Sequence, residues 1–179
     1  QTFHKPRGSR QDKCAWSMKT VKTTNPFTTK SVRLISGRCS PGYSYGIENP
    51  HDDIQRTGNA VLAIYNSRVQ ISYTDHNPVR TMVLVRDKKL QNFVIFETEL
   101  HEYNLADYVW NENSNGNIIG TRKSDGVHCF SWQPHGSQFT IIDQVPDQTI
   151  KFRVKTPPKL SVEQALKTMN FDQSWITIG

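Results

Sequence analysis

Two stretches decide the fold: Arg68-Val69-Gln70-Ile71-Ser72-Tyr73 and, shortly after it, Val79-Arg80-Thr81-Met82-Val83-Leu84-Val85-Arg86. In the first, Val69, Ile71 and Tyr73 alternate with Arg68, Gln70 and Ser72, the period of a half-buried strand. In the second, the continuous apolar centre from Met82 to Val85 marks a strong strand that ends in Asp87-Lys88-Lys89. Asp75-His76-Asn77-Pro78 between them has the composition of a turn.

Working outward, strands are expected at residues 15–22 and 28–36, separated from the central pair by a long Gly/Pro/Tyr-rich loop over 37–53 whose breakers are Pro41, Gly42, Gly46 and Pro50. Residues 60–64 are apolar, and Phe93 to Phe96 continue the pattern. Residues 111–126 are rich in Asn, Gly and Ser and read as an exposed loop or hairpin tip. Three more strands follow at 127–132, 138–142 and 149–155, and residues 174–178 are expected to close the chain as a short strand. One helix stands out. Ser161 and Gln164 have capping-box spacing, and Val162, Ala165, Leu166 and Met169 share a face. Many short strands with turns between them predict an all-β chain folded as a sandwich or barrel, with one short C-terminal helix.

The 179 residues fit one domain. Hydrophobic residues make up 35%, a low share that suits strands with one solvated face. The longest apolar runs, 60–65 and 82–85, are far too short to span a membrane as a helix. The net charge of +6 is unevenly placed. Lys5, Arg7, Arg10, Lys13, Lys19, Lys22, Lys30, Arg33 and Arg38 face a single acid, Asp12, so the first 38 residues carry +8 and the remainder −2. From 90 to 121 there is no Lys or Arg, while Glu97, Glu99, Glu102, Asp107 and Glu112 are all acidic. A basic end on a near-neutral body is the pattern of a polyanion-binding segment. Aromatic residues are interleaved with the cations, and Trp16 and Phe27 either offer ring faces on which unpaired bases stack or, the better fit for Trp16, belong to the cores of their strands. Residues 1–14 are therefore read as an extended basic arm and 15–179 as the β domain.

Catalytic patterns are weak. Gly42-Tyr43-Ser44-Tyr45-Gly46 has the spacing of a nucleophile elbow but sits among Pro41, Asn49 and Pro50 instead of between a buried strand and a helix. His128 and Cys129 are strand neighbours that point to opposite faces, so with His135 they make a poor zinc set. His51-Asp52-Asp53 is an unspecific pair of loop acids, and Glu97, Glu99 and Glu102 read as a solvated acidic face. No enzymatic activity, metal or cofactor is expected. Of the three cysteines, a Cys14–Cys39 disulfide with Cys129 free and three reduced thiols both fit the sequence. A dozen asparagines include no glycosylation sequon.

Gln55-Arg56-Thr57-Gly58-Asn59-Ala60-Val61, running into the 68–73 stretch and then into the strand that ends in Arg86-Asp87-Lys88, resembles the front half of single jelly-roll coat proteins of small viruses. These include the circular single-stranded DNA viruses and the plant satellite viruses. Gln138-Phe139-Thr140-Ile141-Ile142-Asp143 resembles a later strand of the same fold. The resemblance implies a two-sheet jelly-roll-like sandwich, self-association into a shell, and an arm with Lys5, Arg7, Arg10 and Lys13 facing a genome bound without regard to sequence. The location it implies is the virion and the infected host cell, with no membrane partner. The alternative from another class is a secreted, extracellular β-sandwich effector or lectin, whose binding loops would carry Tyr43, Tyr45, Tyr103, Tyr108 and Trp110.

Overall fold

The computed structural model describes residues 2–3, 15–75, 79–155 and 159–170. In chain order its elements are β1 (Thr2–Phe3), β2 (Ala15–Lys22), β3 (Ser31–Arg38), α1 (Pro41–Tyr45), α2 (Ile54–Asp75), β4 (Val79–Arg86), β5 (Asn92–Glu99), β6 (Tyr108–Glu112), β7 (Ile118–Arg122), β8 (His128–Gln133), β9 (Gln138–Gln144), β10 (Ile150–Arg153) and α3 (Val162–Thr168). The chain is mostly β. One sheet has the order β1-β2-β4-β5-β10, with β2 and β4 parallel and the other pairs antiparallel. The other has the order β3-β9-β8-β7-β6 and is antiparallel throughout, its last four strands forming a meander.

The largest correction concerns residues 54–75, which form a 22-residue helix instead of a turn leading into a strand. Val61, Leu62, Tyr65 and Val69 are buried, and their spacing of one, four and eight positions from Val61 marks one face of a helix. Ile71, which made the sequence look alternating, is 65% exposed on α2. The helix starts where Asp53 Oδ1 accepts a hydrogen bond from the Arg56 amide at 2.9 Å, an N-cap that meets one of the orphan donors of the first turn.

Helix α2 packs on the meander sheet through Gly58. A Cβ there would lie 2.1 Å from Trp110 Cδ2, so only glycine lets the indole lie against the helix. Gln55 and Asn59 flank that contact. The Trp110 amide donates to Gln55 Oε1 at 3.1 Å and its indole Nε1 to Asn59 Oδ1 at 3.2 Å. One buried cluster joins α2 to Trp110, Phe130, Phe139 and Ile141. A second joins the two sheets through Val32, Leu34, Val83, Val85, Val94 and Phe96.

Smaller differences follow from packing. Residues 37–53 include the short helix α1, ended by Gly46 at φ 63°, a left-handed position that suits glycine. Residues 111–126 hold the end of β6, the turn of the β6–β7 hairpin and β7. The hairpin tip is tied by Asn113 Oδ1, which accepts from the amides of Asn115 and Asn117 at 2.9 and 3.0 Å, and Ile118 beyond it is fully buried. The strands expected around Thr20, Val83, Phe130 and Ile141 are present. The α3 capping box forms as read: Gln164 N donates to Ser161 Oγ at 3.1 Å and Ser161 N to Gln164 Oε1 at 2.9 Å. The strand expected over 174–178, the turn residues 76–78 and most of the arm lie outside the described residues.

Candidate nucleic-acid interface

The register of the first sheet determines what its outer face presents. On β4 the side chains of Val79, Thr81, Val83 and Val85 are buried, while Arg80, Met82, Leu84 and Arg86 are half-buried on the opposite face. Cross-strand partners share a face. The outer face is therefore laid out in rows: Arg80 with Trp16 and Glu99, Met82 with Met18 and Glu97, Leu84 with Thr20 and Ile95, and Arg86 with Lys22 and Phe93. Strand β10 extends the last two rows with Ile150 beside Ile95 and Phe152 beside Phe93.

The two ends differ in charge. At one, Arg80 is bound by Glu97 and lies 3.9 Å from Glu99. About 20 Å away, six residues along β4, the last row reads Lys22, Arg86, Phe93, Phe152. The Phe93 and Phe152 rings stack with centroids 5.1 Å apart and planes 7° from parallel.

The β4–β5 turn completes this end. The Asp87 carboxylate is buried and accepts from Gln91 N at 2.9 Å, Asn92 N at 3.2 Å and Asn92 Nδ2 at 2.6 Å. Those bonds, the Gln91 amide first, hold it below the usual carboxylate range. Leu90 adopts φ 57° at the turn. Asp87 is thus committed to the turn, and Lys88 and Lys89 stand exposed at the tip.

Val154 N donates to Gln91 O at 2.8 Å, carrying Lys155 alongside the turn. On the inner side of the same edge, the Arg153 guanidinium lies over the Phe27 ring, 5.4 Å from its centroid. The ion pairs among the described residues join His51 to Glu112, Arg80 to Glu97 and Glu99, and Arg122 to Asp125. Lys22, Arg86, Lys88, Lys89, Arg153 and Lys155 take part in none of them.

The residues expected from sequence fall in several places. Lys5, Arg7, Arg10 and Lys13 lie outside the described residues. Lys22 is in the cationic row, and Lys30 is exposed just before β3. Arg33 and Arg38 are exposed on β3, in the other sheet. Lys19 shares the inward side of β2 with Val21, and its ammonium donates to Ile35 O at 2.9 Å. Sequence reasoning missed Arg86, Lys88, Lys89, Arg153 and Lys155. The alternation of Phe152 with Lys151 and Arg153 was visible, but only the β5–β10 pairing brings it beside the Lys88-Lys89 turn.

The rejected chemistry has ordinary structural roles. Ser44 sits within α1, its amide bonded back to Ser40 O at 3.1 Å. His128 Nε2 lies 2.8 Å from Phe130 O, and Cys129 packs against the core. Cys39 is a buried free thiol, raised from its ordinary pKa by that burial and partly offset by Arg68. Cys14 lies outside the described residues.

No family model, curated protein or solved structure matches the chain, so function is argued from the site. A row of cations that join no ion pair among the described residues lies beside a partly exposed pair of stacked rings. Cations of this kind can displace counterions from phosphates, and ring faces can accept unpaired bases. Among the described residues no helix is long and apolar enough to cross a membrane.

Proposed function

We propose that this chain is a coat-like structural protein of a virus, one that binds single-stranded nucleic acid and associates with copies of itself. The observation that carries the reading is the Lys22–Arg86–Phe93–Phe152 row with the Lys88-Lys89 turn beside it, because it joins cations outside any ion pair among the described residues to a partly exposed stacking surface. The basic arm of Lys5, Arg7, Arg10 and Lys13 adds to the same charge. The two-layer sandwich supports a jelly-roll-like subunit through its layering, whereas its strand order is a meander in one sheet.

Self-association is assigned to the rows next to the basic one. Met18, 56% exposed, and Ile150, 67% exposed, flank Met82, Leu84 and Ile95 in an apolar band on the outer face. Subunits that meet on this band bury apolar surface and bring their basic ends together around a shared strand. The virion and the infected cell are the corresponding locations.

Size-exclusion chromatography with light scattering and the 260/280 nm absorbance ratio, on protein purified without nuclease, tests this reading. The expected result is an assembly that carries nucleic acid and releases it at high salt. A monomer free of nucleic acid at low salt would contradict it.

A further inference from the structure

A cavity of about 470 Å³ opens between the two sheets and α2, away from the outer face. Its size is that of a small-molecule site, and its lining carries both cations and acids. At one end Lys19 from β2 and Arg68 from α2 converge on the irregular stretch of β3. Lys19 Nζ is 2.9 Å from Ile35 O, and Arg68 Nη1 lies 3.6 Å from where a Cβ on Gly37 would stand. Ser36 lines the cavity between them. Neither cation joins an ion pair among the described residues.

At the other end Asp143 lines the cavity, on the face of β9 that buries Phe139 and Ile141. Asp143 pairs with Val32, three residues or about 10 Å along β3 from Ile35. The rest of the lining includes apolar and aromatic Leu34, Val69 and Tyr103, together with Glu99 at the end of β5 and His101 just after it.

A ligand that satisfies all three zones carries an anion at one end, a flat apolar body and a hydrogen-bond donor at the far edge. An amphipathic carboxylate would leave Asp143 facing apolar atoms, and inorganic phosphate would leave most of the cavity empty. We propose that this cavity binds a nucleoside monophosphate unit, with its phosphate on Lys19, Arg68 and Ser36 and its base against Leu34, Val69 and Tyr103. An exocyclic amino group donates to Asp143, as adenine and cytosine can and uracil cannot. The inference deepens the nucleic-acid reading, since the unit is either a free nucleotide or the end of a bound strand.

Isothermal titration of the full chain with AMP, CMP, UMP, the matching nucleosides and inorganic phosphate tests it. AMP and CMP should bind roughly tenfold or more tightly than their nucleosides, the factor expected of charge-assisted bonds to phosphate, and more tightly than inorganic phosphate. Arg68→Met should abolish the preference for nucleotide over nucleoside. Asp143→Asn should weaken AMP and CMP relative to UMP, and Ser72→Trp, at the cavity lining, should block all three.

If a 5′-phosphorylated oligonucleotide displaces AMP, the source is a strand end; if it does not, the source is the free nucleotide. Equal affinity for nucleotide and nucleoside, absence of binding, or binding unchanged by both Arg68→Met and Ser72→Trp in variants that melt like the parent would overturn the proposal. Lys88→Gln and Phe93→Ala should weaken strand binding and leave AMP affinity unchanged, so the cavity and the outer face can fail separately.

Discussion

Replacing Gly58 with alanine tests the element that sequence reading misassigned. On an ordinary helix this change stabilises, because alanine gains about 1 kcal/mol of helix propensity over glycine. At Gly58 the new methyl would stand 2.1 Å from Trp110 Cδ2 and 2.2 Å from Cγ, where ordinary contact begins at 3.4 Å. About 1.3 Å of clearance is therefore missing, the difference between those distances. Trp110 has little room to yield: it is 3% exposed, stacks on Phe130 with centroids 5.8 Å apart, and donates from its indole to Asn59.

Overpacking of a well-filled core costs about 1–3 kcal/mol, and loss of the indole hydrogen bond adds roughly 1 kcal/mol. Set against the propensity gain, Gly58→Ala should destabilise by about 1–3 kcal/mol. In a chain of this length that lowers Tm by roughly 3–10 °C. Thermal melts followed by circular dichroism provide the assay, with the exposed α2 position Ser67→Ala as the control, which should leave Tm unchanged or slightly higher. A Gly58→Ala protein that melts at or above the parent temperature would refute the helix-on-Trp110 packing.

Two further perturbations probe how the elements are held. Asp53→Ala removes the cap from α2 and should cost about 1 kcal/mol, read as a lower midpoint in urea with an unchanged slope. The Asp87 carboxylate has a lowered folded pKa, so the stability it contributes is present above the ordinary value of about 3.9 and is lost as the pH falls through the lowered native value. Asp87→Asn should lower Tm at neutral pH and reduce its fall in acid; an acid profile identical to the parent's would show that the carboxylate does not hold the turn.

The strands with one buried face were legible because their burial has the period of two. On β4 Val79, Thr81, Val83 and Val85 point inward, and that strand starts and ends where sequence placed it. Helix α2 was obscured by its last turns, where Val69 and Ile71 imitate alternation although only Val69 is buried. The glycine that seats Trp110 carries no local signal, since its partner lies 52 positions away in the chain. The cationic row was half legible for the same reason. Lys22 belonged to a visible basic segment, but Arg86, Lys88, Arg153 and Lys155 join it only through the parallel β2–β4 and antiparallel β5–β10 pairings. Hydrophobic patterning shows which face a strand buries, and it does not show which strands become neighbours.

The salt dependence of affinity for a single strand of about 12 nucleotides, a length within the usual site size, tests the central claim most directly. Each phosphate contact contributes about −0.7 to the slope of log K against log salt. The Lys88→Gln/Lys89→Gln variant should show a slope shallower than the parent's by about 1.4, for two lost contacts. Phe93→Ala should weaken binding at every salt concentration and leave the slope unchanged. Slopes and affinities that match the parent in both variants would contradict the account and remove the nucleic-acid interface from this face of the sheet.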